Sequence, residues 1–212
     1  VLAALPLSPL RAGDAEETRR LVAILKSDES VFERAKACQR LAVVGTTDAV
    51  PALAELLADP KLAHYARFAL EPMPHASVDE ALRAALGRLE SNLRIGVINS
   101  IAVRRDAGAQ DALVPLLDAK DQELALAAAA ALGRIGTPRA AAALGVTVAS
   151  RSRELGIRIG EAAIVCGERL ANAGQRESAV RILTRVRTSS LAAHVRAAAL
   201  RGEILTLSLI HI

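Results

Sequence analysis

Nine residues, GTTDAVPAL at 45–53, align without a gap on GTPRAAAAL at 136–144. Gly45, Thr46, Ala49, Ala52 and Leu53 recur as Gly136, Thr137, Ala140, Ala143 and Leu144. ALAELL at 52–57 matches ALVPLL at 112–117, and ALRAAL at 81–86 falls between them. The anchors Ala52, Ala81, Ala112 and Ala143 therefore step by 29, 31 and 31 residues. A chain that copies itself at this spacing is built from stacked supersecondary units. None of them can bury its apolar face alone, so each depends on its neighbours.

Each period holds two predicted helices. The first follows A-L-x-x-L-L, which sets apolar residues at i, i+3 and i+4 on one face. The second carries a longer apolar stripe, as in VFERAKACQRLAVVG, KLAHYARFAL, NLRIGVINSIAV and QELALAAAAALGRIG. Thr46, Thr47 and Asp48 suit an N-cap, Pro138 a first helical turn, and Gly45 and Gly136 a helix C-terminus. Units are predicted near 15–45, 46–75, 76–106, 107–136, 137–173 and 174–206. Composition agrees: 52% of residues are apolar, but there are only two Phe, one Tyr and no Trp. Strand-rich folds use more aromatic and β-branched residues, whereas the abundant Ala, Leu and Arg are good helix formers. The fold class is all-α, an α-solenoid of stacked antiparallel helix pairs. Its alanines let helices approach closely, with Leu53, Leu82, Leu113 and Leu144 in equivalent buried positions and few contacts between units distant in sequence.

ALGRIGTPRAAAAL at 131–144 resembles the helix–turn–helix junction of HEAT repeats, especially the short bilin-lyase-like subtype. HVRAAALRG at 194–202 is similar to the second helix of that repeat, and NLRIGVINS matches it more weakly. The resemblance covers most of 15–206 and implies about six units wound into a right-handed superhelix. It departs at EPMPHAS, 71–77, a Pro-broken junction, and at 160–186, which looks like a tetratricopeptide pair.

No catalytic constellation stands out. The four His, at 64, 75, 194 and 211, form neither HxxxH nor HExxH, and no metal site is expected. Cys38 and Cys166 lie far apart in apolar helical patterns, as small buried hydrophobes do. GxSxG, GxxxxGK[ST] and GxGxxG are absent, so no cofactor is expected. Asn99 reads as a buried polar residue that needs a hydrogen bond. In VRRDAG, 103–108, Arg104 and Arg105 close one helix and Asp106 caps the next.

The net charge of +4 comes almost wholly from Arg, since Lys occurs only at 26, 36, 61 and 120. That skew fits either oxyanion recognition or arginines that solvate helix faces. A solenoid of paired helices offers an extended concave surface, which the second helices of HEAT repeats line. There Arg34, Arg40, His64, Arg67, Arg94, Arg104, Arg105 and Arg196 form a candidate ridge for an acidic protein partner or a fused domain. The function read from this is a non-enzymatic interaction scaffold, monomeric. The alternative is nucleic-acid backbone binding through Arg, although only Phe32, Tyr65 and Phe68 could stack on bases. A bilin-lyase-like or glycosylase-like enzyme is a third reading, by fold analogy alone.

The sequence opens on Val and reads as a fragment or a processed chain. Residues 1–14 resemble the back half of a signal peptide, cut near Ala12 or Ala15, or else a capping segment. The first reading implies export, periplasmic or secreted, and the second leaves the chain cytoplasmic. Residues 207–212, within LSLIHI, abandon the charged helical pattern and read as a tail of sequencing-adapter origin. No apolar run reaches the ~18 residues of a membrane span.

Overall fold

The computed structural model describes residues 12–148 and 153–208. Among them are twelve α-helices and no strand: α1 (Ala12–Lys26), α2 (Val31–Val44), α3 (Val50–Leu56), α4 (Ala63–Leu70), α5 (Ala76–Arg88), α6 (Ser91–Arg104), α7 (Gln110–Leu113), α8 (Gln122–Ile135), α9 (Pro138–Val148), α10 (Arg153–Asn172), α11 (Arg176–Arg187) and α12 (Ala193–Ser208). Taken two at a time they are the six pairs that the repeat predicts. Short 3-10 turns lead into α3 and α7, and a third, Val114–Asp118, extends α7. Helix α12 runs through Leu207 and Ser208, past the expected end of the last unit, while most of the signal-like segment and residues 209–212 lie outside the described residues.

The chain divides into two compact units, and the boundary falls inside α5, after Ala81. In the first unit α1 packs on α2 and α3, α3 packs on α4, and α2 packs on α4. The first helices of the pairs make one layer and the second helices the other. In the second unit α6, α8, α10 and α12 stack in that order, with α9 beside α11. Each first helix also packs on its own second helix, α9 on α10 and α11 on α12. The main helix contacts among the described residues are all made by elements close in chain order, as a solenoid requires.

Small residues make this stacking close. A Cβ placed on Gly133 of α8 would lie 2.5 Å from the Ala162 carbonyl oxygen of α10, so only glycine lets these backbones meet. The repeat leucines Leu53, Leu82, Leu113 and Leu144 are all fully buried. Asn99 departs from expectation, because it faces solvent. The buried polar residue of α6 is its neighbour Ser100, whose hydroxyl donates to the Gly96 carbonyl at 3.4 Å.

Three of the junctions between pairs, those before α3, α7 and α9, share one architecture. Thr46 accepts from the Asp48 amide at 3.4 Å, Asp106 from the Gly108 amide at 2.9 Å, and Thr137 from the Ala140 amide at 3.1 Å. Each cap is also gripped from an earlier first helix. The Thr18 hydroxyl accepts from the Thr46 amide at 3.3 Å and donates to the Val44 carbonyl at 3.1 Å. Arg83 holds Asp106, and the Thr137 hydroxyl donates to Gln110 Oε1 at 2.7 Å. The caps, and Thr18 with them, satisfy helix-end groups that would otherwise lack partners, while Arg83 and Gln110 hold the capping side chains themselves. The residue before each cap closes the preceding helix: Gly136 at φ +68, Arg105 at φ +56, and Gly45 at φ −63.

Candidate partner-binding surface

At 100° per residue, Phe32, Lys36 and Val43 share one side of α2, opposite the fully buried Cys38 and Leu41. On α4, His64 and Phe68 lie opposite the fully buried Ala66 and Leu70. Because α2 and α4 pack side by side, these exposed sides form one outer face of the second-helix layer in the first unit. Val43 is 77% exposed, Phe32 69% and Phe68 51%. The Lys36 ammonium sits 5.3 Å from the Phe32 ring centre, and the His64 ring meets that of Tyr65 edge-on at 5.6 Å. A chain with three aromatic residues thus places all of them on two adjacent helices, with both phenylalanines in solvent.

The phase of the helix carried this signal. VFERAKACQRLAVVG and KLAHYARFAL read as broad apolar stripes, but Phe32 falls about half a turn from the fully buried Leu41, and Phe68 about half a turn from the fully buried Ala66 and Leu70. The same phase turns Arg34 inward. It is half-buried, and its Nε donates to the Leu25 carbonyl at 3.1 Å, closing the end of α1.

The other ridge candidates divide between the two units. In the first, Arg40 is exposed but clamped by Glu17, Nε to Oε1 at 2.6 Å and Nη2 to Oε2 at 3.0 Å. The hydrogen bond from Arg40 holds the Glu17 carboxyl below its ordinary pKa, and the same bond raises that of Arg40. His64 is exposed and Arg67 half-buried. In the second unit Arg94 is half-buried, and its buried Nε has no hydrogen-bond partner among the described residues. Arg104 is half-buried, whereas Arg105 and Arg196 are exposed.

Charge on the second-helix side of the second unit is mixed. A groove of about 190 Å³ between α8 and α10 is lined by Leu126, Arg134, Arg158, Glu161 and Val165, with Arg158 and Glu161 3.6 Å apart. A larger groove of about 370 Å³, between α9 and α11, has a floor of Ala141, Gly145, Val146 and Ile182 and a rim of Arg181 and Arg185. Arg181 is tied to Glu177 at 2.6 Å. Neither groove gathers a nucleophile and a base. Burial pushes the Cys38 thiol up to about 11 and the Cys166 thiol up to about 12, which keeps both in the unreactive protonated form. Among the described residues no group of three or more His, Cys, Asp or Glu is placed to hold a metal ion. No helix there is long and apolar enough to cross a membrane.

Helix pairs stacked in chain order, with latched turns, define a helical-repeat protein of the α-solenoid class. Residues 79–155, from α5 into the start of α10, match the family described as HEAT repeats. No curated protein matches the chain. Two crystal structures of engineered proteins from the Northeast Structural Genomics Consortium share the fold. One has a TM-score of 0.56 and 21% identity, covering 91% of this chain and 97% of its own. The other has a TM-score of 0.51 and 22% identity, covering 92% of this chain and 59% of its own. These matches speak to the repeat fold, not to the bilin-lyase-like subtype or the tetratricopeptide-like segment.

Proposed function

We propose that the chain is a non-enzymatic protein-interaction scaffold that docks its partner on the outer face of α2 and α4. The observation that carries this reading is the exposure of both phenylalanines, together with Val43, on two adjacent helices. Aromatic side chains, Phe among them, are enriched at the cores of protein interfaces, where surrounding contacts exclude water. Lys36, His64 and Arg67 rim the patch and suit a partner that offers apolar side chains beside carboxylates. Several arginines are already neutralised within the fold, by Glu17, Asp111, Glu177 and Glu203, which weighs against phosphate-backbone binding.

The test compares affinity captures made with the wild type and with Phe32→Ser/Phe68→Ser, using Arg139→Ala as a surface control. A partner retained by wild type and control but lost by the double variant supports the reading. Equal capture by all three overturns it.

A further inference from the structure

Helix α12 buries Val195, Ala199, Gly202 and Thr206 against its own unit. On roughly the opposite side, the same periodicity lines up Ala193, Ala197, Leu200, Ile204 and Leu207, all exposed. Leu200 is 44% exposed, Ile204 53% and Leu207 46%. An apolar stripe along four turns is what an inner helix shows to the helix stacked on it. Within this unit α8 shows such a side to α10, and α10 to α12. The outer side of α12 continues that established mode of packing.

The charges around the stripe decide what fits it. Arg196 and Arg201 fall on either side of it, both exposed, and neither has an ion-pair partner among the described residues. The single carboxylate of α12, Glu203, is turned to α11, where it accepts from Thr184 Oγ1 and Arg187 Nε, each at 2.7 Å. Burial pushes its pKa up, but those hydrogen bonds outweigh it and leave the group below its ordinary value. The outer side of the helix therefore presents aliphatic side chains between two free guanidinium groups. A second copy of α12 packed on it would set arginine against arginine.

We propose that the outer face of α12 docks an amphipathic helix of a partner protein, one whose small and aliphatic stripe is flanked by Asp or Glu. This surface is separate from the α2 and α4 face and does not depend on that reading. The mode is helix-on-helix packing with charged flanks that set specificity.

The probe is a synthetic helical peptide of about 18 residues, five turns long, with a Leu/Ala stripe and Glu flanks. Its twin carries Lys flanks. Each is titrated into the full chain by fluorescence anisotropy, at low and physiological salt. The Glu-flanked peptide is expected to bind at least about tenfold tighter than its twin, and to weaken with salt. Arg196→Glu/Arg201→Glu should reverse the preference. Ile204→Asp should abolish binding while circular dichroism and Tm stay at wild-type values, and Phe32→Ser/Phe68→Ser should leave binding unchanged. No binding, equal binding of the two peptides, or binding that survives Ile204→Asp overturns the proposal. So does a wild-type dimer that Ile204→Asp converts to monomer, because a second copy would then be the occupant.

Discussion

Arg83 donates through one guanidinium nitrogen to both carboxylate oxygens of Asp106, at 2.7 and 2.6 Å. Asp106 caps the turn that opens the fourth helix pair, so a side chain of α5 holds the entry to the next repeat. Its carboxylate is 8% exposed, and that of Asp111, paired with Arg139, is 68% exposed. Removing the partner of a nearly buried carboxylate leaves a desolvated charge, while an exposed pair contributes little. Arg83→Met should destabilise the chain by about 2 kcal/mol in urea denaturation, and Arg139→Ala by no more than about 0.5 kcal/mol.

Arg105 occupies the left-handed position that Gly136 fills at the corresponding junction, with φ +56 against +68. The Cβ of an L-residue clashes with the following carbonyl there, and glycine escapes the clash. Arg105→Gly should therefore stabilise the chain by about 1 kcal/mol and raise Tm. A fall in Tm would mean that the Arg105 side chain makes a compensating contribution.

Gly133 and Gly87 are both helical glycines, and they should respond to alanine with opposite signs. A Cβ at 133 would press on the Ala162 carbonyl at 2.5 Å, forcing α8 and α10 apart, whereas one at 87 meets nothing within 4 Å. Gly133→Ala should destabilise by about 1–3 kcal/mol despite its better helix propensity. Gly87→Ala should stabilise by about 0.5–1 kcal/mol. Thermal unfolding of the two variants side by side checks both signs.

The repeat spacing was enough to place the helix pairs, because the pattern of buried leucines repeats with the chain. The cap Thr46 was legible among its neighbours Thr47 and Asp48, and so was Asp106 beside Arg105. What pairs with the caps was not. Thr18, Arg83 and Gln110 reach them from 23 to 28 residues away, and three different side chains do equivalent work, so no motif repeats. Arg34 and Phe32 show a different limit. Both sit in one apolar-rich segment, and only the angular position of each decides which faces solvent. Asn99 shows the same limit, since it faces solvent while its neighbour Ser100 is buried.

Cys38 and Cys166 are fully buried, with thiols held neutral at about 11 and about 12. In the unfolded chain each ionises near the ordinary value of 9.0. The folded state thus favours the protonated thiols. Their contribution to stability is complete below pH 9 and declines as pH rises from there through 11 to 12. A disulfide-exchange reagent at pH 8 should label neither cysteine in the native protein and both after unfolding in urea. Fast labelling of the folded chain would show that one of these sites opens locally.

Phe68 and Leu70 are two residues apart on α4, yet one is 51% exposed and the other fully buried. If the exposed aromatic face serves a partner, its residues should matter little to the isolated chain. Phe68→Ser and Phe32→Ser are each expected to change stability by no more than about 0.5 kcal/mol, as surface substitutions usually do. Leu70→Ala removes a packed side chain between layers and leaves a cavity, so it should destabilise by about 2–5 kcal/mol. Urea denaturation of the three variants, set beside partner capture by the folded ones, separates the two roles. A large loss of stability in Phe68→Ser would show that the ring packs on the fold, and the binding face would then lose its central residue.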